Sequence, residues 1–266
     1  MNLLEYLQRS GIPAEERALR GIIMRGDVLI NDQPVTSPAA QIPPGATIRI
    51  RGAVQRPVSR GYDKLKAPLE RSAINVRERV CADLGASTGG FTQCLVEAGA
   101  RLVYAVDVGY GLLAPELRNN PHVVVLERTN ARLLSAAEIG EPLDLVVGDL
   151  SFISWRAVVP AIVDLLDPKA ELFLLIKPQF ELAAAGKLDP AGRGIVRRAE
   201  DMEACLESLY DLWSGCDLNS VAVYPAGLRG AQGNQEFFIH LRRNQRKVSL
   251  EEYEQQSRRA VAEVAA

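Results

Sequence analysis

An α/β fold with a mostly parallel sheet, preceded by a small α+β unit, is what this 266-residue chain predicts. Three observations lead there. From Val80 onward, near-continuous apolar runs alternate with helical patterns, as in strands covered on both faces. Ahead of them lie two short amphipathic helices and two short strands, too little for a catalytic domain. One apolar run, Val80 to Leu84, ends in the glycine-rich turn Gly85-Ala86-Ser87-Thr88-Gly89-Gly90. Open α/β sheets bind ligands at such strand-to-helix crevices.

The elements follow in order. Leu3, Leu4 and Leu7 form the apolar face of a first helix, which Gly11-Ile12-Pro13 stops. Ala14 to Arg25 reads as a second helix, with Leu19, Ile22 and Ile23 on one side and Gly26 as its stop. Val28-Leu29-Ile30 is a strand, Asn31-Asp32 a turn, and residues 47–50 a second strand after the loop Pro43-Pro44-Gly45. In the larger part, strands are expected at 80–84, 102–107, 123–126, 143–148 and 172–176. Helices are expected near 90–98, 111–118, 155–166 and 198–214. Two later strands, near 220–224 and 236–241, have no long helix between them and are expected to pair antiparallel at one edge. Ser249 and Glu252 have capping-box spacing and open a charged last helix. The expected organisation is therefore 1–55, a basic linker 56–66, a large domain 67–245 and a C-terminal helix 246–266.

Composition excludes several classes. With 31 Lys+Arg against 33 Asp+Glu, 47% apolar and 24% charged residues, this is neither a disordered tail nor a collagen-like or cationic chain. No apolar run approaches the ~18 residues of a membrane-spanning helix. The start, MNLLEYLQRS, lacks the basic opening and cleavage site of a secretion signal, so a cytoplasmic, membrane-free protein is expected. Cys81, Cys94, Cys205 and Cys216 lack CxxC spacing, and His122 and His240 are the two histidines. Neither a metal site, a disulfide framework nor a hydrolase triad is expected. Charge is uneven: residues 1–80 hold 13 Lys+Arg and 8 Asp+Glu, the remainder 18 and 25. The excess gathers at Arg51, Arg56, Arg60, Lys64 and Lys66, which is either a solvated linker or a phosphate-tracking strip.

The glycine turn reads G-x-x-x-G-G, not the G-x-G-x-x-G of a dinucleotide site, and no Lys-Ser/Thr follows it as in a P-loop. Asp83 precedes the turn, and Asp107 closes the next strand 22 residues after Gly85. A carboxylate there can accept hydrogen bonds from both hydroxyls of a ribose. The alternative is a tight structural turn. Asp149 and Lys177 also stand where apolar strands end, on the ligand side of such a sheet.

Asp83-Leu84-Gly85-Ala86-Ser87-Thr88-Gly89-Gly90-Phe91-Thr92 resembles the S-adenosylmethionine loop of the TlyA family, a branch of the FtsJ-like ribose methyltransferases. So do Tyr104 to Gly111, Leu126 to Arg132, Asp149-Leu150-Ser151-Phe152-Ile153-Ser154 and Ile176-Lys177-Pro178-Gln179-Phe180-Glu181. Ser59-Arg60-Gly61 with Lys64, and Gly233-Asn234 with Glu236, complete a match running from about residue 59 to 242. The front unit resembles the RNA-binding domain named after the fourth small-subunit ribosomal protein. It departs from that pattern at Asn2-Leu3-Leu4 and at Glu15-Glu16.

The resemblance implies a Rossmann-like S-adenosylmethionine-dependent methyltransferase sheet behind a small RNA-binding domain. It implies methylation of a ribose 2′-hydroxyl of ribosomal RNA, with cytidine the usual target, by a monomer acting on RNA or a ribosomal subunit. It implies a Lys-Asp-Lys-Glu tetrad at Lys64, Asp149, Lys177 and Glu236. Cofactor contacts are implied for Asp83, Gly85, Ala86, Ser87, Gly89, Gly90, Phe91, Asp107, Asn130 and Asp149, and RNA contacts are expected at Arg51, Arg56, Arg60 and Lys66. Asn130 would otherwise cap a helix, and Phe152 and Phe180 either stack on a base or pack in the core. Lys177 is the candidate base, provided its ordinary pKa of ~10.4 falls toward neutral, with Lys64 as the nearby cation. Rival readings are a non-catalytic RNA-binding or ribosome-assembly protein that retains the fold, a haemolysin, and a small-molecule methyltransferase. A haemolysin would need a membrane-active segment, and the sequence shows none.

Overall fold

The structure is a computed structural model describing residues 1–10, 16–50, 57–188, 194–230, 232–244 and 246–265. Two compact units divide the chain, Met1–Arg56 and Pro57–Ala266.

In the first unit, α1 (Leu3–Arg9) and α2 (Glu16–Met24) share a core with a small antiparallel sheet of β1 (Val28–Ile30), β2 (Gln33–Val35) and β3 (Ile48–Ile50). Leu3, Leu7, Leu19, Ile23 and Val28 are its buried centre. A reciprocal cap starts α1: Asn2 Oδ1 accepts from Glu5 N at 2.9 Å, and Glu5 Oε2 from Asn2 N at 3.1 Å. The sequence pattern does not predict β2, because Pro34 carries no N–H. The strand order β2-β1-β3 explains its presence, since proline is tolerated on an edge.

The second unit holds a seven-stranded sheet ordered β6-β5-β4-β7-β8-β10-β9. Its strands are β4 (Val80–Leu84), β5 (Leu102–Val106), β6 (Val123–Leu126), β7 (Leu143–Gly148), β8 (Leu166–Ile176), β9 (Leu218–Pro225) and β10 (Phe237–Arg243). β4 to β8 run parallel, and β10 lies antiparallel between β8 and β9. This is the mostly parallel, Rossmann-like arrangement with an antiparallel edge. Its helices are α3 (Arg60–Ser72), α4 (Gly90–Glu97), α5 (Pro115–Arg118), α6 (Val159–Ile162), α7 (Pro178–Ala184), α8 (Ala199–Glu207), α9 (Tyr210–Gly215) and α10 (Leu250–Ala265). Alternate strand residues point to opposite faces. Cys81, Leu145, Val147 and Phe173 meet Leu65 of α3 and Phe91 of α4. Ala82, Val146 and Leu172 join the core containing Leu206 of α8, Trp213 of α9 and Tyr253 and Val261 of α10.

Several expected elements differ. The stretch 56–66, expected as a linker, runs into α3, whose first half is Arg60 to Lys66. Ser59 Oγ caps it by accepting from Gly61 N at 3.2 Å, and Tyr62, Leu65 and Leu69 bury its inner face. Pro68 masks this helix in the sequence, because it has no N–H to give the Lys64 carbonyl one turn back. The helix expected at 111–118 shrinks to α5, with Gly111 left-handed at φ +71° before it. The one expected at 155–166 is α6 flanked by 3₁₀ turns at Trp155–Ala157 and Val163–Leu165. The one at 198–214 breaks into α8 and α9.

Candidate active site

Four strand ends meet at one rim of the sheet. Gly85 follows β4, Asp149 follows β7, Lys177 follows β8, and Glu236 precedes β10. Register aligns them: Leu84 pairs with Gly148, Gly148 with Leu174, and Ile176 with Phe237. Because β10 runs against β8, its beginning lies beside the end of β8, which puts Glu236 next to Lys177 in sheet order. Lys64 arrives from outside the sheet, one turn into α3.

The four charged side chains form a chain of contacts. Lys64 Nζ donates to Glu236 Oε2 at 2.8 Å and to Asp149 Oδ2 at 3.4 Å. Lys177 Nζ stands 2.6 Å from Asp149 Oδ1. Burial alone would lower the Lys64 pKa, but Asp149 and Glu236 outweigh it and hold it above the ordinary lysine value. Lys64 is therefore a fixed cation. Lys177 Nζ also donates to Ser151 Oγ at 2.9 Å and lies 5.7 Å from the Phe180 ring centroid. Gly230 makes room for the acid at the other end: a Cβ there would sit 2.6 Å from Glu236 Oε1. The sequence assigns no role to Ser151 or Gly230, since neither type announces chemistry outside its spatial setting.

The glycine turn builds the adjoining wall. Gly85 is left-handed at φ +86°, and a Cβ on it would come within 2.8 Å of the Asp149 carbonyl. Asp107 accepts from Ser87 N at 2.8 Å through Oδ2 and from Gly109 N at 2.7 Å through Oδ1. Its carboxylate is thereby fixed facing a cavity of about 400 Å³ that also touches Leu112, Asn130 and Asp149. A second cavity of about 330 Å³ shares Gly85, Ser87 and Asp149, and continues past Lys64, Arg60 and Arg229. A third, about 530 Å³ and mostly apolar, lies beyond Phe152 and Phe180.

Other expected site residues are placed unequally. Ala86, Gly90 and Phe91 line the second cavity. Asn130 lines the first while its Oδ1 accepts from Arg132 N at 3.0 Å, so it caps a turn as well. Asp83 lines none of the three: it is fully buried, takes a hydrogen bond from Thr92 Oγ1 at 2.7 Å, and burial pushes its pKa up to about 7. The pleat turns it toward α4 instead of the rim. Gly89 also stands outside the cavities, because a Cβ there would collide with Leu117 Cδ1 at 2.3 Å. Arg60 is exposed at the second cavity, whereas Lys66 lies against the Tyr62 ring, 5.3 Å from its centroid. A single basic strip is thus split by helical geometry. Arg51, Arg56 and Glu15 lie outside the described residues.

Residues 57–243 match the FtsJ-like methyltransferase family. The 16S/23S rRNA (cytidine-2′-O)-methyltransferase TlyA of Mycobacterium tuberculosis is 41% identical over 264 residues, covering 97% of this chain and 96% of the relative. The chain belongs to the FtsJ-like methyltransferases, in their TlyA branch. Hemolysin A of Brachyspira hyodysenteriae is 34% identical over 241 residues, covering 90% of this chain and 99% of that protein. A hemolysin-named protein of Streptococcus thermophilus has a solved structure with a TM-score of 0.71 and 28% identity, covering 100% of this chain and 97% of that one. Among the described residues, no helix of this methyltransferase is long and apolar enough to cross a membrane.

A methyltransferase of this family calls for S-adenosylmethionine, and the rim fits it. The Gly85 turn leaves space that a Cβ would fill, and Asp107 offers a pre-oriented carboxylate to a ribose. Asp149 borders both cavities, and so stands where a nucleoside half and an amino-acid half would join.

Proposed function

We propose that this methyltransferase methylates a ribose 2′-hydroxyl of ribosomal RNA, at cytidine, from S-adenosylmethionine, acting as a monomer in the cytoplasm. The observation that carries the reading is the contact chain Glu236–Lys64–Asp149–Lys177 beside the Gly85 turn. The ribosomal RNA substrate and the cytidine come from the relatives' activities.

The cofactor supplies an electrophilic methyl on sulfur. Gly85, Ser87, Asp107 and Asn130 would hold it along the first cavity, with Ala86, Gly90 and Phe91 along the second. As the 2′-oxygen takes that methyl in place of its hydrogen, the hydroxyl proton would pass to Lys177 Nζ. A general base acts through its unprotonated form. Lys64 shares Asp149 with Lys177 and adds a second positive charge close by. Glu236 keeps Lys64 protonated and in place. Holding oxygen and methyl in line supplies much of the remaining rate.

The surroundings suit a nucleotide. Phe152 is 91% exposed, with a left-handed backbone at φ +64°, and its ring centroid is 4.9 Å from that of Phe180. Bare aromatic faces beside a base catalyst are a stacking surface for a nucleobase. Arg60 and Arg229 at the second cavity would meet phosphates. The N-terminal unit would add RNA affinity through its exposed basic residues, Glu16 being engaged by Arg20 at 2.8 Å.

Mapping 2′-O-methyl groups on ribosomal RNA from cells with and without this protein tests the reading. At least one methylated cytidine should disappear with the gene and return with the wild-type chain but not with Lys177→Ala. A ribose-methylation map that is identical in all three removes the proposal.

A further inference from the structure

The loop after β7 bears three of the groups gathered around Lys177 and Phe180. These are Asp149 and Ser151, at 2.6 and 2.9 Å from Lys177 Nζ, and Phe152, at 4.9 Å between ring centroids from Phe180. A buried carboxylate ties this loop to α7. Glu181, one turn beyond Lys177, is 6% exposed. Its Oε1 accepts from Trp155 N at 2.9 Å, and its Oε2 accepts from Ser154 Oγ. Trp155 anchors the same loop to the sheet by donating from Nε1 to the Leu175 carbonyl at 2.9 Å.

We infer that Glu181 is a positioning residue for methyl transfer, a latch that holds the Asp149–Ser154 loop against α7 so that Lys177 keeps its contacts with Asp149 and Ser151. The inference rests on Lys177 as the base. Burying a carboxylate is costly unless hydrogen bonds satisfy it. Burial pushes the Glu181 pKa up, opposed by the bonds from Ser154 and Trp155 and by the charge of Arg156. An apolar side chain would fill the same space at lower cost. What the carboxylate adds is direction, because two hydrogen bonds from neighbouring residues of one loop fix both the distance and the tilt of that loop.

The test compares Glu181→Ala with Glu181→Gln in the full-length chain. Alanine strands the Trp155 N–H and the Ser154 hydroxyl. Glutamine still accepts from Trp155 and can donate to Ser154. Methylation kinetics on ribosomal subunits, calorimetric S-adenosylmethionine affinity and thermal melting are measured for each. Glu181→Ala should lower kcat about tenfold to a hundredfold, with cofactor affinity within about twofold of wild type, and Glu181→Gln should restore most of the rate. Wild-type kcat in folded Glu181→Ala overturns the latch. So does a glutamine variant as slow as alanine with cofactor affinity lost in both, the mark of a merely structural role. If Glu181→Ala does not fold, Ser154→Ala removes one of the two bonds and should lower kcat several-fold with cofactor affinity retained; unchanged kcat there also overturns the latch. Lys177→Ala, run alongside, separates the two assignments. Turnover surviving in it removes the base and the latch together, whereas a dead Lys177→Ala beside a fully active Glu181→Ala removes the latch alone.

Discussion

Two charged clusters lie along β8 and β10, one at the rim and one set back from it, and they are built from different cations. Away from the rim, Glu171 Oε1 takes Arg79 Nη2 at 2.8 Å, while Oε2 lies 2.6 Å from His240 Nε2 and 2.7 Å from Arg242 Nε. Burial would raise the Glu171 pKa, but the bonds from His240, Arg242 and Arg79 prevail and hold it down at about 2. At the rim, Asp149 and Glu236 meet Lys64 and Lys177. An arginine stays charged at any pH the protein meets, whereas a lysine can lose its proton when its surroundings favour that. The arginine end fastens strands; on the proposed reading, Lys177 at the other end takes a proton. Burial and ion pairing alone do not distinguish a catalytic cluster from a structural one, so the proposal turns on the identity of the cation.

Lys177 separates the two clusters most decisively. Lys177→Arg keeps a cation beside Asp149 but cannot give up its proton. Methyl transfer should fall about a thousandfold, the scale of a lost general base, with S-adenosylmethionine affinity retained. Single-turnover methylation on ribosomal subunits measures it, and near-wild-type turnover would make the rim cluster as structural as its counterpart.

Glu171 should show the opposite behaviour. Glu171→Gln leaves Arg79 and His240 facing a neutral group and should cost about 3 kcal/mol of stability, with little effect on kcat of the folded enzyme. Its pH dependence has a definite sign. The folded pKa, about 2, lies below the ordinary carboxylate value of 4.5. The stabilisation is therefore complete above about pH 4.5 and is lost as pH falls from there toward 2. Urea denaturation across that window should show wild type losing its advantage over Glu171→Gln; a constant difference would refute the assignment. Arg242→Lys sharpens the contrast at smaller scale. Arg242 is partly exposed, so exchanging its planar fork for an ammonium should cost about 1 kcal/mol or less and leave kcat unchanged.

What was legible in the sequence follows the same division. The strands β4, β5 and β7 are short apolar runs with no competing pattern, and their ends announce Gly85, Asp107 and Asp149. Helix α3 was hidden because Pro68 and the charges at Arg60, Asp63, Lys64 and Lys66 read as a solvated linker. The first half of β8 was hidden by Pro168 and Lys169, and with it the place of Glu171 inside the sheet. Lys64, Asp149, Lys177 and Glu236 are joined by register between strands far apart in the chain, so only the family motifs brought them together in advance. Glu181 sits within one of those motifs, yet its partners Ser154 and Trp155 become visible only when the loop and α7 are packed together.

The smallest effect concerns the basic stretch leading into the rim. Arg60 and Lys64 stand one turn apart on α3 and both line the second cavity, whereas Lys66 is rotated away toward Tyr62. A lysine or arginine that neutralises one phosphate changes the slope of log affinity against log salt by about 1. Arg60→Ala should therefore flatten the salt dependence of RNA binding by about that much, while Lys66→Ala leaves it unaltered. Equal flattening in both variants would mean that the stretch follows RNA as one continuous strip, as its sequence suggests, and that the helix does not sort its charges. An unchanged slope in both would place the phosphate contacts elsewhere and leave Arg60 a solvated rim residue.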